Sequence, residues 1–304
     1  QGFLSLRDIE RLVKQNKPIV WTMHDMWPCT GICHHARDCE KFQTECESCF
    51  FLKSKGKDLS TSVFDKKMSL YKDANITFVG CSRWLSGRAK KSYLLRGKAV
   101  LSIPNPIDTK VYHPMDQGMA RELLGLPSGK RLLLFGALNV TDKRKGIDYL
   151  IEALRRMEKQ DVELVVFGQV KDDIRGLFPV PIHSMGYLSD ESKIVALYNA
   201  VDMFITSSLE ENLPNTIMES MACGTPCVGF EIGGIPEMID HRVNGYVANY
   251  KDAGDLANGI QWVLEHEDRL ALSDACVKKV QENYTEEVVA KQYTALYEKL
   301  LKGE

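Results

Sequence analysis

The chain has 304 residues, of which 44% are hydrophobic and 26% charged, and its formal net charge is −2. These values are typical of a soluble globular protein of two domains, and they exclude a chain-wide field that would select nucleic acid or an anionic membrane. No stretch reaches the roughly 18 apolar residues of a membrane-spanning helix, and no signal peptide is visible. We therefore expect a cytoplasmic protein that does not bind nucleic acid.

The first third of the chain opens on a helical pattern. Leu6, Ile9 and Val13 lie at helix-like spacing, and because Gln1 is not a start residue we expect missing upstream residues and an incomplete first domain. Three apolar runs then predict short strands: Ile19–Thr22, Ile76–Val79 and Val100–Ile103. A helix is predicted at about 82–95. The prolines of residues 104–106 stop regular structure, which indicates a hinge between domains.

The rest of the chain alternates strands and helices more clearly. Five buried strands are predicted: Arg131–Leu138, Val162–Gly168, Met203–Ser207, Cys227–Phe230 and Tyr246–Ala248. Helices are predicted at about 147–158, 190–199, 252–265, 267–282 and 286–301. Ser189 suits the N-cap of the second of these helices. The repeating order predicts a parallel sheet covered by helices, and in such sheets ligands bind at the carboxyl ends of the strands.

Two glutamates flank the start of a predicted helix after the strand Met203–Ser207. Pro214 suits its first turn, so Glu211 lies just before the helix and Glu219 two turns inside it. The backbone amides at a helix amino end point toward any anion, and carboxylates bind sugar and ribose hydroxyls. Spacing alone leaves an alternative open, in which Glu211 only favours the helix dipole and Glu219 is solvated.

This stretch carries a specific resemblance. Residues 211–226 resemble the signature of the family 4 retaining glycosyltransferases, in which a Glu is followed by seven residues, a second Glu and a Met-Ala-x-Gly-x-Pro sequence. The resemblance continues at five further places: His24-Asp25, Ile103–Asn105, Lys145-Gly146, Gly233–Glu237 and Asn244-Gly245. It implies an α/β protein with the GT-B fold, in which two Rossmann-like domains face each other across a cleft.

The same resemblance divides the chain. It implies a truncated N-terminal, acceptor-side domain at 1–112 with a Cys-rich insert at 29–49, and a C-terminal nucleotide-sugar-binding domain at 113–284. A C-terminal helix at 285–304 is expected to pack back on the first domain.

The family's site residues transfer to matching positions. Glu211 would contact the donor sugar, Glu219 would bind the ribose hydroxyls, and the amides of Asn212 and Leu213 would meet the transferred sugar or the β-phosphate. Lys145 would neutralise the pyrophosphate. Without the resemblance, Lys145 and its basic neighbours would read as a solvated turn.

Three further parts of the sequence each allow two assignments. The family usually has an arginine where this chain has Ala137, so Arg144 or Lys143 would supply the second cation. His24 would lie by the donor sugar, and the alternative is that His24-Asp25 is a strand-end pair that caps the next turn. Gly233 and Gly234 would let the backbone approach phosphate, or form an ordinary turn.

The implied reaction is transfer of a sugar from a UDP- or GDP-sugar to a glycan or lipid-linked acceptor, with retention of configuration, as in the building of bacterial surface polysaccharides. No Asp-x-Asp sequence occurs, and Lys145 with the helix amides can stabilise the leaving diphosphate, so we expect catalysis without a metal cofactor. The alternatives are another chemistry on the same fold, such as epimerisation, and an inactive donor-binding fragment.

Nine cysteines include a dense group in the insert. Cys33, Cys39, Cys46 and Cys49 end in a Cys-x-x-Cys pair, and some sugar-polymer glycosyltransferases that resemble this chain have a similar insert. Four thiols in a reducing compartment suggest a structural zinc, with disulfides or free thiols as alternatives. Cys29 also lies in the insert, and the other four cysteines, in apolar surroundings, read as buried thiols: Cys81, Cys223, Cys227 and Cys276.

A basic stretch at 83–98 contains six Lys and Arg residues, no acid, and apolar side chains such as Trp84, Leu85 and Leu94. It could bind the inner face of the cell membrane near a lipid-linked acceptor. A solvated helix face is the alternative.

Overall fold

The structure is a computed structural model that describes residues 4–140, 142–157, 161–169 and 175–303. It divides into two compact units, one made of Gln1–Pro104 with Ala290–Glu304 and the other of Asn105–Val289. The division falls within the proline-flanked segment 104–106, so residues 105–112 belong to the second unit rather than to the predicted first domain. The last part of the C-terminal helix belongs to the first unit.

The first unit is built on a three-stranded parallel sheet of order β1-β2-β3. The strands are β1 (Ile19–Met23), β2 (Ile76–Gly80) and β3 (Ala99–Ser102). The central strand β2 is buried along its whole length, as its continuous apolar sequence predicts. Thr22 Oγ1 lies 2.9 Å from the hydroxyl of Tyr293, which joins the C-terminal helix to β1.

Helices begin in this unit where side chains cap them. Ser5 caps α1 (Leu6–Val13), Asp58 caps α2 (Leu59–Tyr71) and Ser82 caps α3 (Arg83–Lys91). The helix predicted at 82–95 therefore ends at Lys91, and a short 3-10 turn follows at Tyr93–Leu95. Leu85, Leu94 and Leu95 are buried, so these leucines of the basic stretch face the core.

The second unit contains a six-stranded parallel sheet of order β6-β5-β4-β7-β8-β9. Its strands are β4 (Arg131–Asn139), β5 (Val162–Gln169), β6 (Ile182–Gly186), β7 (Met203–Thr206), β8 (Cys227–Phe230) and β9 (Gly245–Ala248). Five agree with the predicted strands within two residues. The edge strand β6 was not predicted, because His183 and Ser184 interrupt its apolar sequence and it is only half-buried.

Helices cover this sheet and carry its connections. They are α4 (Gln117–Leu124), α5 (Ile147–Arg156), α6 (Glu191–Ala200), α7 (Asn215–Ala222), α8 (Ile235–Met238), α9 (Ala253–Leu264), α10 (Arg269–Asn283) and α11 (Glu286–Lys302). Glu158, the predicted end of α5, lies outside the described residues. Ser189 is wrong as the cap of α6, because Asp190 accepts the hydrogen bond from the Ser192 amide.

A buried carboxylate joins several elements at the amino edge of this sheet. The side chain of Asp202 is 3% exposed and lies 3.1 Å from Arg121 Nη2, 3.3 Å from Arg131 Nη1 and 2.6 Å from Arg269 Nη1. It also accepts a 2.8 Å hydrogen bond from the Leu132 amide. Asp202 therefore connects α4, β4 and α10 just before β7 begins.

The strand order places a topological switch between β4 and β7. The chain moves from β4 to β5 and β6 on one side, and from β7 to β8 and β9 on the other. The loops that leave the carboxyl ends of β4 and β7 thus diverge from a shared crevice, which is where ligands bind in open parallel sheets.

Candidate functional site

Two loops meet at this switch and hold each other through backbone contacts. The first contains a 3-10 turn, Lys143–Lys145, after β4, and the second follows β7. The Leu209 amide donates to the Arg144 carbonyl at 2.7 Å, and Ser207 Oγ donates to the Lys145 carbonyl at 3.0 Å. Gly146 has φ +65°, and a Cβ there would lie 2.0 Å from the Ser207 carbonyl oxygen. Position 146 therefore requires glycine, because any side chain there would clash with the Ser207 carbonyl.

The ion pair between Lys145 and Glu211 is the centre of the site. Lys145 Nζ contacts Glu211 Oε1, and the two side chains are 33% and 14% exposed. An ammonium and a carboxylate from different loops are thus held in one partly buried place. Because the pair lies at the switch, both groups are positioned to contact a polar ligand in the crevice.

A third loop, after β8, packs against the Glu211 loop. A Cβ at Gly233, whose φ is +58°, would lie 2.1 Å from the Glu211 carbonyl oxygen. The Gly234 amide donates to the Asn212 carbonyl at 2.5 Å. The close approach made by these glycines is therefore to the loop that carries Glu211 and Asn212.

The amino end of α7 completes the switch region. Pro214 is its N-cap, and no side chain among the described residues caps the helix. The preceding Leu213 is buried, and Asn105 Nδ2 lies 3.4 Å from Asn215 Oδ1. The amides of the first turn and the positive end of the helix dipole favour an anion here.

Glu219 lies to one side of this region, within α7. Its Oε2 accepts a 2.8 Å hydrogen bond from the hydroxyl of Tyr198, which is buried on α6. Burial raises the pKa of Glu219, an effect that the hydrogen bond from Tyr198 opposes and the charge of Glu191 adds to. Burial and the charges of Glu219 and Glu191 likewise raise the pKa of Tyr112. A tyrosine and carboxylate cluster thus surrounds Glu219.

The basic neighbours of Lys145 are more exposed. Arg144 Nη2 lies 2.6 Å from Asp142 Oδ2, and the Arg144 side chain is 62% exposed. The hydrogen bond with Asp142 raises the pKa of Arg144, and the charges of Glu210 and Glu211 add to it. Arg144 is therefore close to the acidic loop, whereas Lys143 is an exposed side chain on the same turn.

In the first unit, His24 follows β1 and is exposed. It lines a cavity of about 690 Å³ together with β1 residues and His34. The next residue, Asp25, accepts hydrogen bonds from the Trp27 amide at 2.7 Å and from His34 Nδ1 at 2.9 Å. Asp25 therefore stabilises the turn after the strand.

A buried lysine that sequence analysis did not single out supports this turn. Lys67 Nζ, on α2, donates to the carbonyls of Trp27, Thr30 and Gly31 at 2.5, 2.9 and 3.0 Å. It also lies 3.5 Å from the centre of the Trp27 ring. Burial lowers the pKa of Lys67 to about 7, although three carbonyls and an aromatic face all favour the charged ammonium. Nothing in the local sequence of α2 distinguishes Lys67 from a solvated lysine, so the sequence does not predict this role.

The clustered cysteines lie beyond this turn. All nine cysteines are free thiols, so the disulfide alternative is not found, and the four scattered cysteines are buried as predicted. Burial raises the pKa of Cys33 to about 12, and the thiols of Cys49, Cys46 and Cys39 add to the shift, so all four are neighbours. The Gly31 amide donates to Cys46 Sγ at 3.3 Å. Within the described ranges, no group of three or more His, Cys, Asp or Glu is already arranged to hold a metal ion.

One family model matches the part of the chain that contains the loops of the switch. Residues 129–266 match the family described as "Glycosyl transferases group 1". Over this segment the chain is similar to the group 1 glycosyl transferases. The matched segment includes both loops of the switch, the Lys145–Glu211 pair and all of α7.

Two curated relatives illustrate the range of similar proteins. The chain is 24% identical over 213 residues to the N-acetyl-alpha-D-glucosaminyl L-malate synthase of Bacillus anthracis, covering 68% of this chain and 55% of the relative. It is 33% identical over 118 residues to the N,N'-diacetylbacillosaminyl-diphospho-undecaprenol alpha-1,3-N-acetylgalactosaminyltransferase of Campylobacter jejuni, covering 38% and 31%. The chain thus spans about half the length, or less, of these relatives.

Solved structures identify the fold. The Anabaena protein HepE in complex with UDP superposes with a TM-score of 0.75 at 17% identity, over 97% of this chain and 77% of that chain. The sucrose-phosphate synthase of Thermosynechococcus elongatus gives a TM-score of 0.70 at 21% identity, over 94% and 68%. The predicted GT-B fold is confirmed. Across the part of the chain that the structure describes, no helix is long and apolar enough to span a bilayer.

Proposed function

We propose that this protein is a family 4 retaining glycosyltransferase that moves a sugar from a UDP- or GDP-sugar to a glycan or lipid-linked acceptor. The observation that supports this most is the ion pair of Lys145 and Glu211 beside the uncapped amino end of α7. A cation and helix amides suit a diphosphate, and an adjacent carboxylate suits sugar hydroxyls. The lipid-linked acceptor is suggested by the diphospho-undecaprenol in the Campylobacter relative's name.

Donor binding in this proposal changes the partners of Lys145. The diphosphate takes the ammonium, with Arg144 as the second cation, and Glu211 turns its carboxylate to the donor sugar. As the sugar leaves, negative charge grows on the β-phosphate, where Lys145 and the amides near Asn212 and Leu213 stabilise it. In this proposal no protein nucleophile or catalytic metal takes part, and the histidine role that the family resemblance implies is assigned to His24.

A screen of nucleotide sugars by calorimetry, followed by assay of the best binder with glycan and lipid-linked acceptors, tests this function. Release of free nucleoside diphosphate together with a glycosylated acceptor is expected. Recovery of an epimerised sugar nucleotide would instead support the epimerase alternative, and the absence of binding by every nucleotide sugar would overturn the proposal.

Glu219→Ala is expected to weaken donor binding. Its carboxylate is held by Tyr198 and is proposed to accept hydrogen bonds from the ribose hydroxyls. Loss of a hydrogen bond to a charged group costs about 1.5–3 kcal/mol, which is roughly 10- to 100-fold in Kd. Calorimetry with the nucleoside diphosphate measures the change.

The matched control is Glu163→Ala. Glu163 is also a partly buried carboxylate with one side-chain partner, since its Oε2 lies 2.6 Å from His183 Nε2. It lies on β5, away from the loops of the switch, so donor affinity should stay unchanged. Equal affinities for wild type and the Glu219 variant would exclude the ribose assignment.

The four clustered thiols are proposed to hold a structural zinc. Cys33, Cys39, Cys46 and Cys49 supply only soft sulfur donors, which suits zinc in a closed site, and their sulfurs would draw together around the ion. Its chemistry would be structural, fixing the segment after the β1 turn.

Elemental analysis of protein purified without chelator is expected to find about one zinc per chain. Cys49→Ser should lose the metal and lower the Tm, whereas Cys276→Ser, a change to a buried thiol of the other unit, should retain the metal. Protein that contains no zinc above background, and whose Tm a chelator leaves unchanged, would refute the zinc site.

A further inference from the structure

A short loop after the cysteine cluster is closed at its base by polar contacts. The Ser48 amide donates to the Gly56 carbonyl at 2.8 Å, and the Gly56 amide donates to Ser48 Oγ at 2.8 Å. The carboxylate of Asp58 accepts from the Cys49 amide at 2.8 Å and from Ser54 Oγ. We call residues 50–57 the 50–57 loop, and its base is fixed independently of its tip.

The tip of the 50–57 loop exposes three consecutive apolar side chains. Phe50, Phe51 and Leu52 are 51%, 44% and 39% exposed, and the two phenyl rings lie 4.0 Å apart. They form a 3-10 turn that ends at Lys53 in the left-handed conformation. A contiguous apolar projection of this kind marks an interaction site, because its exposure to water is unfavourable.

Cations surround this apolar tip. Lys53, Lys55 and Lys57 are exposed, and the loop contains no acid. The guanidinium of Arg37 lies 5.8 and 5.3 Å from the ring centres of Phe50 and Phe51. The surface therefore pairs aromatic side chains with positive charge.

The positive surface continues into α3. Arg88 Nη2 donates to the Arg37 carbonyl at 3.4 Å, and Lys90 and Lys91 are exposed two and three residues further along that helix. The acids near this face are partly engaged, since Glu40 pairs with Arg88 at 2.6 Å. Asp38, Glu45 and Glu47 are also exposed before the loop, whereas 50–57 carries three lysines and 83–98 six cations, with no acid in either segment.

We propose that the 50–57 loop docks the protein on an anionic bilayer by placing Phe50, Phe51 and Leu52 among the lipid head groups. Aromatic rings partition to the membrane interface, and neighbouring lysines are attracted to anionic lipid. The basic stretch at 83–98 adds exposed cations and one aromatic side chain, Tyr93, which is 38% exposed. Leu85, Leu94 and Leu95 of the same stretch are buried. The apolar anchor is thus the 50–57 loop, and its action does not depend on the donor site of the second unit.

Sedimentation of the whole chain with phosphatidylcholine vesicles, with and without phosphatidylglycerol, tests this docking. Binding is expected only to the anionic vesicles and should weaken when salt is raised to about 1 M, where charges are screened within about 3 Å. Two variants should each lower the partition coefficient at least about tenfold. One combines Phe50→Ser with Phe51→Ser, and the other combines Lys53→Glu, Lys55→Glu and Lys57→Glu.

Matched controls use the same chemistry at other exposed positions. Leu123→Ser with Leu270→Ser removes two side chains that are 64% and 79% exposed, and Lys291→Glu with Lys299→Glu and Lys302→Glu makes the same charge change on α11. Both controls should bind vesicles like wild type. No binding to anionic vesicles, equal losses in the controls, or self-association abolished by the phenylalanine changes would overturn membrane docking. Donor affinity measured in parallel reports separately on the proposed transferase function.

Discussion

Replacing Lys145 by alanine is expected to lower the rate of sugar transfer by about 10²- to 10³-fold, the usual effect of removing one preorganised group that stabilises developing charge. Lys145 is one third exposed, and it is fixed by the Ser207 contact to its carbonyl and by its pair with Glu211. No other described lysine pairs with Glu211. A steady-state assay with a saturating nucleotide sugar measures kcat, and calorimetry measures donor affinity.

The control for this change is Lys130→Ala. Lys130 precedes the same strand, β4, at its opposite end, and it pairs with Asp161 at 2.5 Å. Transfer should be unaffected there. If Lys145→Ala retained full activity while its Tm stayed that of wild type, the diphosphate would have to bind elsewhere and the proposed site would be wrong.

Asp202→Ala is expected to lower the free energy of unfolding by about 3–5 kcal/mol, because it leaves a buried cation without its counter-charge. The Arg121 side chain is 6% exposed and donates to the carbonyls of Ala200, Ser128 and Lys130 at 2.7, 3.0 and 3.0 Å. Only Asp202 offers it a negative charge among the ion pairs of the described residues. For a unit of this size the loss corresponds to a Tm lower by roughly 10 °C.

Denaturant unfolding followed by circular dichroism measures this loss. Asp161→Ala removes a carboxylate that is 73% exposed and paired with Lys130, so it should cost at most about 1 kcal/mol. Similar midpoints for the two variants would show that the contacts of Asp202 do not hold α4 and α10 to the sheet. Donor affinity should be retained at temperatures where the Asp202 variant is still folded.

Several features of the fold could be predicted from the sequence because burial is continuous along them. β2 and β7 are buried at every residue, and their apolar runs predict strands directly. β6 was not predicted, because an edge strand needs no continuous apolar run. α2 and α4 were also missed. Each of these helices buries few apolar side chains. Their N-cap residues, Asp58 and Asp116, cannot be told from ordinary loop residues in the sequence.

The candidate site could be predicted in part. The signature at 211–226 indicates α7, its preceding loop and Glu219, and the Lys-Gly pair indicates the turn after β4. The contact between Lys145 and Glu211 could not be predicted, because it joins residues from loops on different strands. The tyrosines near Glu219 were also missed, since Tyr198 on a buried helix face reads as core. The roles of Gly233 and Gly234 stay predictions, although their observed approach is to the Glu211 loop.

The sequence by itself determined the α/β class, most strands, the family signature and the identity of the charged groups, because these depend on local periodicity and on residue type. Only the tertiary structure decided which of those groups meet. In the second unit, the order β5-β4-β7-β8 brings the β4 and β7 loops to one crevice and Asp202 beside three arginines. In the first unit, the packing of α2 against the turn after β1 brings Lys67 to three carbonyls. The tertiary structure also decided that the leucines of the basic stretch are buried and that the phenylalanines of the 50–57 loop are exposed. The physical reason is that burial and pairing depend on chain crossovers, whose partners are distant in sequence and leave no local pattern.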